Sequence, residues 1–350
     1  MMRASFLRSR WLYVLLGLVI GLLYMRFFSA QHVITSFSSE PASQQAASSE
    51  AVRQMELGPE QLLRAGRTHP VALGLLCVLG LTALGLGVSG LVLGARAWRR
   101  RVARRRRASS LARLPHRWSI TDLGRVSVLL ACVALLLPFV HIGLVSLGWM
   151  SPDDLHVWGL VSTVVIELVL LLLVWAFAST TAVQWRRMFG LTRARAWWGV
   201  WRGLRGYVIA FPWIMALLWA AASLAQALGI EPDAETIQDL LFVETRGPIR
   251  VLTLVVACVV GPIAEEVFFR GLLFSSLRRH LSRAAAMLIS ATLFSALHTN
   301  VVGFIPILAL GCVLADLYER TGSLAAPITV HITHNALLVG AALAVRALMG

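Results

Sequence analysis

The sequence predicts an all-α fold, a polytopic integral membrane helical bundle of about nine transmembrane helices with its functional site within the C-terminal spans. Of its 350 residues, 58% are hydrophobic and only 14% are charged, and the mean hydropathy is +0.75. Apolar runs of about 17 or more residues recur along the chain, and each is long enough to cross the hydrocarbon core of a bilayer. A soluble core of this size would show amphipathic stripes instead.

The apolar runs predict nine spans, separated by short polar or arginine-rich loops. They cover residues 11–28, 69–96, 123–149, 157–182, 203–228, 249–276, 284–299, 302–319 and 325–347.

Four parts follow from this pattern. Residues 1–28 form an N-terminal membrane anchor or signal peptide, and "FFSAQ" is a poor cleavage site, which favours an uncleaved anchor. Residues 29–68, rich in Ser, Ala, Gln and Glu, are a polar extracytoplasmic linker. Residues 69–182 hold accessory transmembrane helices with an arginine-rich cytoplasmic loop, and residues 183–350 hold the core that carries the functional motifs.

The charge pattern predicts the orientation of the chain. Its net charge is +15, and all 32 basic residues are arginine. Arginine-rich loops alternate with acidic ones, so the positive-inside rule places the basic loops in the cytoplasm, in a bacterial inner (plasma) membrane. The run "RRRVARRRR" (99–107) is interpreted as an anchor against anionic membrane lipid. No aromatic residue interleaves it, so no nucleic-acid partner is expected.

The stretch 197–205 mixes tryptophan with arginine, which predicts an interfacial helix. The four cysteines lie in apolar segments without a CxxC pair, so neither a disulfide framework nor a thiolate zinc site is expected.

Span 249–276 contains three ionisable side chains, in "GPIAEEVFFRG" (261–271). Glu266 and Arg270 are four residues apart and can pair on one helix face, whereas Glu265 points about 100° away. Pro262 frees a backbone carbonyl, which only a polar cavity would tolerate at this depth. A buried ion pair for packing explains Glu266 and Arg270 but leaves Glu265 without a role.

Two later spans add polar side chains at a similar depth. "FSALH" puts Phe294 and His298 on one helix face, and "HITHN" does the same for His331 and Asn335. Glu265 lies 13 residues before Arg278, and His298 lies 15 residues after Arg283, so both are roughly 20 Å from the same basic turn. His331 and Asn335 come to roughly 12 and 18 Å from Ser323 on that side. The four side chains can therefore meet.

Three other polar residues lie within the predicted spans. Glu167 stands alone in its span and is as compatible with a structural role as with a functional one. His141 is interpreted as a packing histidine, and His334 as a residue behind the site.

A carboxylate and imidazoles at one depth suit the activation of water. Glu265 as general base with His298 beside it, and His331 with Asn335 as hydrogen-bond donors to an oxyanion, would together hydrolyse an amide. One glutamate and two histidines, here Glu265, His298 and His331, are equally a set of ligands for catalytic Zn²⁺. The H-E-x-x-H and G-x-S-x-G motifs are absent. A proton or ion relay through the same residues is a third reading.

The motifs "EEVFFR", "FSALH" and "HITHN" resemble, in order and each in its span, the EExxxR, FxxxH and HxxxN motifs of the CPBP family. That family comprises the type II CAAX prenyl endopeptidases and their bacteriocin-processing relatives. The stretches "GCVLADLYERTGSLAAPI" and "FGLTRARAWW" also look like this family, so the resemblance covers roughly residues 185–345.

The resemblance implies a CAAX-protease-like intramembrane endopeptidase, of the metallo- or the glutamate type. By position it implies Glu265 as the base that activates water, His298 as its partner, and His331 and Asn335 as oxyanion stabilisers or further ligands. Glu266, Arg270 and Phe294 would support them. The implied partners are membrane lipid and a peptide or protein substrate that is lipid-anchored or embedded in the membrane.

Two non-proteolytic functions remain as alternatives: a non-catalytic membrane partner, such as a bacteriocin immunity factor, and a proton or ion transporter. Transporters often contain an internal repeat, and none is visible here because the polar residues lie only in the C-terminal spans.

Overall fold

The computed structural model describes most of the chain from residue 68 onwards. Its described residues are 12, 13, 16, 68–102, 118–151, 154–178, 182–230, 244, 246–298 and 300–349. The predicted first span (11–28), the polar linker (29–68) and much of the arginine-rich loop (103–117) lie almost wholly outside them.

Nine helices make up the described fold. They are α1 (Pro70–Val102), α2 (Ile120–Ser146), α3 (Leu155–Ala178), α4 (Ala182–Met188), α5 (Arg193–Ala227), α6 (Gly247–Leu277), α7 (Arg283–Ala296), α8 (Phe304–Thr321) and α9 (Ala325–Met349). The helical membrane bundle predicted from the sequence is confirmed. Each predicted span after the first overlaps one of the longer helices of the structure, and the short α4 is the helix that no span predicted.

The count of nine spans is not reached among the described residues. Six helical stretches are long and apolar enough to cross a membrane, namely α1, α2, α3, α6, α9 and the stretch Trp185–Ala227 that contains α5. Helix α7 has only 14 residues, about 21 Å, which is shorter than a bilayer core. Helix α8 has 18 residues but carries Asp316, Glu319 and Arg320 near its end.

The predicted interfacial helix 197–205 is not a separate element. These residues form the early turns of the 35-residue helix α5. Trp197, Trp198 and Trp201 are exposed there, and Arg202 stacks on the Trp198 ring at 4.7 Å. The mixed composition therefore reflects the exposed end of a long helix rather than a helix of its own.

Local sequence signals set the helix ends near the functional site. Ser119 and Asp122 form a reciprocal capping box at the start of α2. The Ser282 hydroxyl accepts from the Ala285 N–H at the start of α7. Helix α8 ends at Gly322, whose left-handed backbone (φ 60°) favours glycine. The signals at Ser282 and Gly322 separate α6 from α7 and α8 from α9 by short turns.

Helix α5 packs closely on α9 because its facing residues are small. A methyl group added to Gly203 would lie only 2.5 Å from the carbonyl oxygen of Ala326. Small residues of this kind let two membrane helices approach backbone to backbone. Helix α1 packs on α5 and α9, and α3 packs on α6 from the other side, so the accessory helices flank the motif-bearing ones.

Helix α6 departs from the regular α-helix predicted for span 249–276. Two of its segments are π-helical, Val256–Val260 and Val267–Phe274. The Gly261 N–H donates to the Val256 carbonyl, five residues back, and Pro262 has no N–H to donate to the next carbonyl, that of Ala257. The side chain of Asn335 donates to this Ala257 oxygen instead, at 2.9 Å. The carbonyl that Pro262 leaves free is therefore present, and it accepts a hydrogen bond from Asn335 of α9.

Ion pairs join the loops at each end of α6. At its C-terminal end, Arg278 pairs with Glu319, while Asp316 pairs with both Arg283 and Arg320. At its N-terminal end, Arg246 pairs with Glu244 and with Asp154. Each set connects neighbouring helix ends at one end of α6.

The Glu244 cluster predicts a specific pH dependence of stability. Hydrogen bonds from Arg246, and a further one with His156, lower the pKa of Glu244 to about 2 from an ordinary value of 4.5. A lowered pKa stabilises the fold above about pH 4.5, and this contribution is lost as the pH falls towards 2. We expect Glu244→Gln to lower the thermal unfolding temperature at pH 7 and to lower it less at pH 3. An equal difference at both pH values would contradict this role for the Glu244 carboxylate.

Candidate active site

Three helices bring Glu265, His298 and His331 together. Glu265 Oε2 on α6 lies 4.0 Å from His298 Nε2, just after the end of α7, and 3.8 Å from His331 Nε2 on α9. The side chains of Glu265 and His298 are each 32% exposed, whereas that of His331 is only 3% exposed. The cluster therefore has one buried wall and one side open to the surroundings.

Glu266 and Arg270 form a fully buried pair behind this cluster. Arg270 Nη1 donates to Glu266 Oε1 at 2.6 Å, both side chains are 0% exposed, and Arg270 Nη2 donates to the Gly311 carbonyl of α8 at 3.2 Å. The same Glu266 oxygen lies 3.0 Å from His331 Nδ1. Glu266 therefore does more than neutralise Arg270, because it also orients the His331 ring towards Glu265.

Phe294 forms the aromatic wall of the cluster. Its ring centroid lies 4.6 Å from that of His298 and 5.6 Å from that of His331, and the Arg270 guanidinium stacks on it at 4.4 Å. Phe294 is fully buried. These contacts fix both imidazoles and the guanidinium against one rigid surface.

The hydrogen bond of His298 settles its tautomer. Nδ1 lies 2.7 Å from the Phe294 carbonyl oxygen, which can only accept, so Nδ1 carries the hydrogen. In the neutral ring Nε2 is then an acceptor that faces the Glu265 carboxylate. Two acceptors cannot bond to each other directly, but at 4.0 Å apart they suit a water molecule that donates to both.

Asn335 and His334 make further contacts between α9 and its neighbours. Asn335 donates one hydrogen to Ala257, as described above, which leaves the second amide hydrogen for another acceptor. His334 Nδ1 lies 3.2 Å from the hydroxyl of Tyr207 and so connects α9 to α5. His141 stacks on Trp158 at 5.4 Å, between α2 and α3.

Glu167, whose role the sequence leaves open, borders the site. It lies on α3 and is 8% exposed, and a methyl group added to Gly261 would be 2.9 Å from its Oε1. The same methyl group would be 3.7 Å from Glu265 Oε1. Only the arrangement of α3 against α6 could reveal this proximity, since the two glutamates are about a hundred positions apart in sequence.

The residues present do not fit a zinc ion as they are placed. The donors have the right chemistry, one carboxylate and two imidazoles whose Nδ1 atoms bind other groups. Ligands of one tetrahedral zinc ion lie about 3.3 Å apart, whereas the distances here are 3.8 and 4.0 Å. Across the described part of the chain, no group of three His, Cys, Asp or Glu residues is placed to hold a metal ion.

Comparisons with known proteins agree with these motifs. Residues 247–337 match the family model described as "Type II CAAX prenyl endopeptidase Rce1-like". This segment resembles the Rce1-like family. It contains every residue of the cluster, from Glu265 to Asn335, and the family resemblance predicted from the three motifs is confirmed.

One curated relative extends the comparison. Over 139 residues the chain is 31% identical to the protein named "Putative membrane peptidase YdiL" from Bacillus subtilis (strain 168). The alignment covers 36% of this chain and 56% of that relative, so it spans about half of the relative's length. No solved structure matches the chain. Glu167 lies on α3, outside the Rce1-like segment.

Proposed function

We propose that this protein is an intramembrane endopeptidase that hydrolyses a peptide bond of a membrane-associated peptide or protein. The observation that carries the proposal is the position of Glu265 Oε2, 4.0 Å from His298 Nε2 and 3.8 Å from His331 Nε2. A carboxylate in this position can hold a water molecule between itself and an imidazole and then remove its proton.

The reaction follows from where hydrogen-bond donors and acceptors lie. Water donates one hydrogen to Glu265 and one to His298, and its oxygen attacks the peptide carbonyl as Glu265 takes the proton. The oxyanion of the tetrahedral intermediate accepts hydrogen bonds from His331 and from the second amide hydrogen of Asn335. The C–N bond then breaks, and Glu265 returns the proton to the leaving amine.

Charge balance supports a proton on His331. Glu265 and Glu266 contribute two negative charges, and Arg270 contributes one positive charge. An imidazolium at His331, between the two carboxylates, makes the cluster neutral, and a neutral cluster is the least costly to bury. His331 can then donate from Nε2 while Nδ1 donates to Glu266.

The substrate is proposed from the setting of the site. Helices α6 and α9 are long and apolar enough to cross a membrane, and Glu265 lies within α6. A peptide that reaches Glu265 is therefore itself lipid-anchored or embedded in the membrane. We place the protein in a bacterial inner membrane with its arginine-rich loops in the cytoplasm, a setting that gives no reason to expect a prenylated substrate.

A cleavage assay with labelled water tests the proposal. The purified protein is reconstituted into vesicles with a library of acylated peptides, and incorporation of ¹⁸O into new carboxyl groups is measured. We expect cleavage by the wild-type protein and a loss of about 10- to 100-fold in His298→Ala, because one hydrogen bond to the water is removed. His280→Ala is the matched control, since His280 is exposed in the α6–α7 turn and should leave the rate unchanged. Equal rates in both variants, or no cleavage by the wild type, would contradict the proposal.

Adding a metal chelator to the cleavage assay distinguishes the metal-free reaction from the zinc-dependent one. We propose the metal-free version, since the present spacing does not fit zinc. Retained cleavage after chelation, with far less than one zinc per protein by elemental analysis, is the expected result. Loss of cleavage that added Zn²⁺ restores would instead establish the metalloprotease version.

A further inference from the structure

Glu167 is a buried carboxyl group that the proposed reaction does not use. It is 8% exposed on α3, its Oε2 atom is inaccessible, and this atom has no hydrogen-bond partner. Within the described part of the chain it forms no ion pair with a basic side chain. Burying a polar atom without a partner destabilises a fold, so the presence of this one calls for a physical reason.

The unpaired carboxyl group is directed at the site. Gly261 separates it from Glu265, and a side chain at position 261 would collide with Glu167 Oε1 at 2.9 Å. Glu265 Oε1 lies 3.7 Å from the same point, so the two oxygens are at most about 6.6 Å apart, within reach of a direct hydrogen bond or of one bridging water molecule. Glu265 Oε2 is likewise buried without a hydrogen-bond partner.

Two charged carboxylates at such a short distance repel each other strongly in a site of low dielectric constant. The arrangement is stable when one of them keeps its proton and donates it to the other in a hydrogen bond. Glu265 is the member that faces His298 and His331, as an acceptor for water must. Glu167, more deeply buried and without a basic partner among the described residues, is the member that keeps the proton.

We infer that Glu167 is a positioning residue that donates a hydrogen bond to the Glu265 carboxylate, directly or through one water molecule, and so turns Oε2 of Glu265 towards the two imidazoles. This inference rests on the proposed function, because it assigns Glu167 a part in the same reaction. It also explains why position 261 has no side chain.

The alternative is that Glu167 only fills space between α3 and α6. Turnover in a variant with leucine at this position separates the two roles. Leucine is of similar size and removes an unpaired buried polar group, so stability should stay the same or rise in either case. Turnover should fall only if Glu167 positions Glu265. Turnover and stability therefore have to be measured on the same samples.

Two substitutions test the inference in the vesicle assay with any peptide that the wild type cleaves. We expect Glu167→Leu to lower kcat by about 10- to 100-fold, the effect of one hydrogen bond to a charged group, with KM and unfolding temperature little changed. We expect Glu167→Gln to stay within about threefold of the wild type, since its amide still donates a hydrogen bond to Glu265.

Glu265→Gln, measured alongside, separates the failure of this inference from the failure of the proposed function. If Glu265→Gln is inactive while Glu167→Leu keeps full turnover, the inference is wrong and the proposed function stands. A Glu167→Gln variant as impaired as Glu167→Leu, at an unchanged unfolding temperature, would also overturn hydrogen-bond donation. Turnover that survives in Glu265→Gln would contradict the proposed function itself. The double variant should be no slower than Glu265→Gln alone, because Glu167 acts through Glu265.

Discussion

Replacing Glu265 by glutamine is expected to lower the rate of peptide cleavage by about 10²- to 10⁴-fold, the usual contribution of a general base. The amide keeps the size of the carboxylate but cannot take a proton from water. Glu265 is one-third exposed, and its distances of 4.0 and 3.8 Å to the His298 and His331 rings are too long for direct hydrogen bonds, so the fold depends little on its charge. The unfolding temperature should therefore stay within a few degrees of that of the wild type.

Glu266→Gln is the matched comparison, because it makes the same chemical change one residue further on. Glu266 is fully buried and binds both Arg270 and His331, so its neutralisation should reduce stability together with activity. The contrast between a stable, inactive variant and an unstable one assigns different roles to the two adjacent glutamates. Similar losses of stability in both variants would contradict that assignment.

The sequence predicted this difference from helix geometry alone. Residues four apart share a face, which paired Glu266 with Arg270, and the 100° step to Glu265 left it facing elsewhere. The structure places Glu266 and Arg270 at 0% exposure, with Glu265 turned towards two histidines. Glu265 and Glu266 lie in the α-helical part of α6, Gly261–Glu266, and the pair with Arg270 forms although Arg270 lies in the π-helical segment Val267–Phe274.

The irregular parts of α6 could not be predicted in the same way. A π-helical turn adds one residue to the hydrogen-bonded ring, and the hydrophobic pattern on either side of it does not reveal this. Pro262 indicated a free carbonyl, but the π turn decides that the free carbonyl is that of Ala257. The partner, Asn335, lies on a helix 78 residues away in sequence.

Other contacts of the site between residues distant in sequence could not be predicted either. Counting residues from Ser323, on the same side of the membrane as the basic turn, predicts that His331 lies at a depth similar to that of Glu265, whereas its bond to Glu266 depends on the rotation of α9. The positions of Gly311 behind Arg270 and of Glu167 beside Glu265 depend on how α8 and α3 pack against α6. Periodicity gives the face and approximate depth of a side chain, and packing between helices decides what it touches.

Replacing Arg270 by alanine is expected to cause the largest loss of stability, about 3 to 5 kcal/mol in the free energy of unfolding. The substitution leaves the Glu266 carboxylate buried at 0% exposure without its guanidinium partner, and it removes the donor to the Gly311 carbonyl of α8. It also leaves a cavity against the Phe294 ring, on which the guanidinium stacks. Thermal unfolding of the purified protein in detergent measures the loss.

The double variant Glu266→Gln/Arg270→Met shows whether charge or volume causes this loss. Because neither side chain then carries a charge, no carboxylate is left at position 266 without its guanidinium partner, so the double variant should be more stable than Arg270→Met alone. Its cleavage rate should nevertheless stay low, because His331 has lost the carboxylate that orients its ring and balances its charge. Equal unfolding temperatures for the double and single variants would mean that packing against Phe294, rather than the ion pair, holds α6 in place.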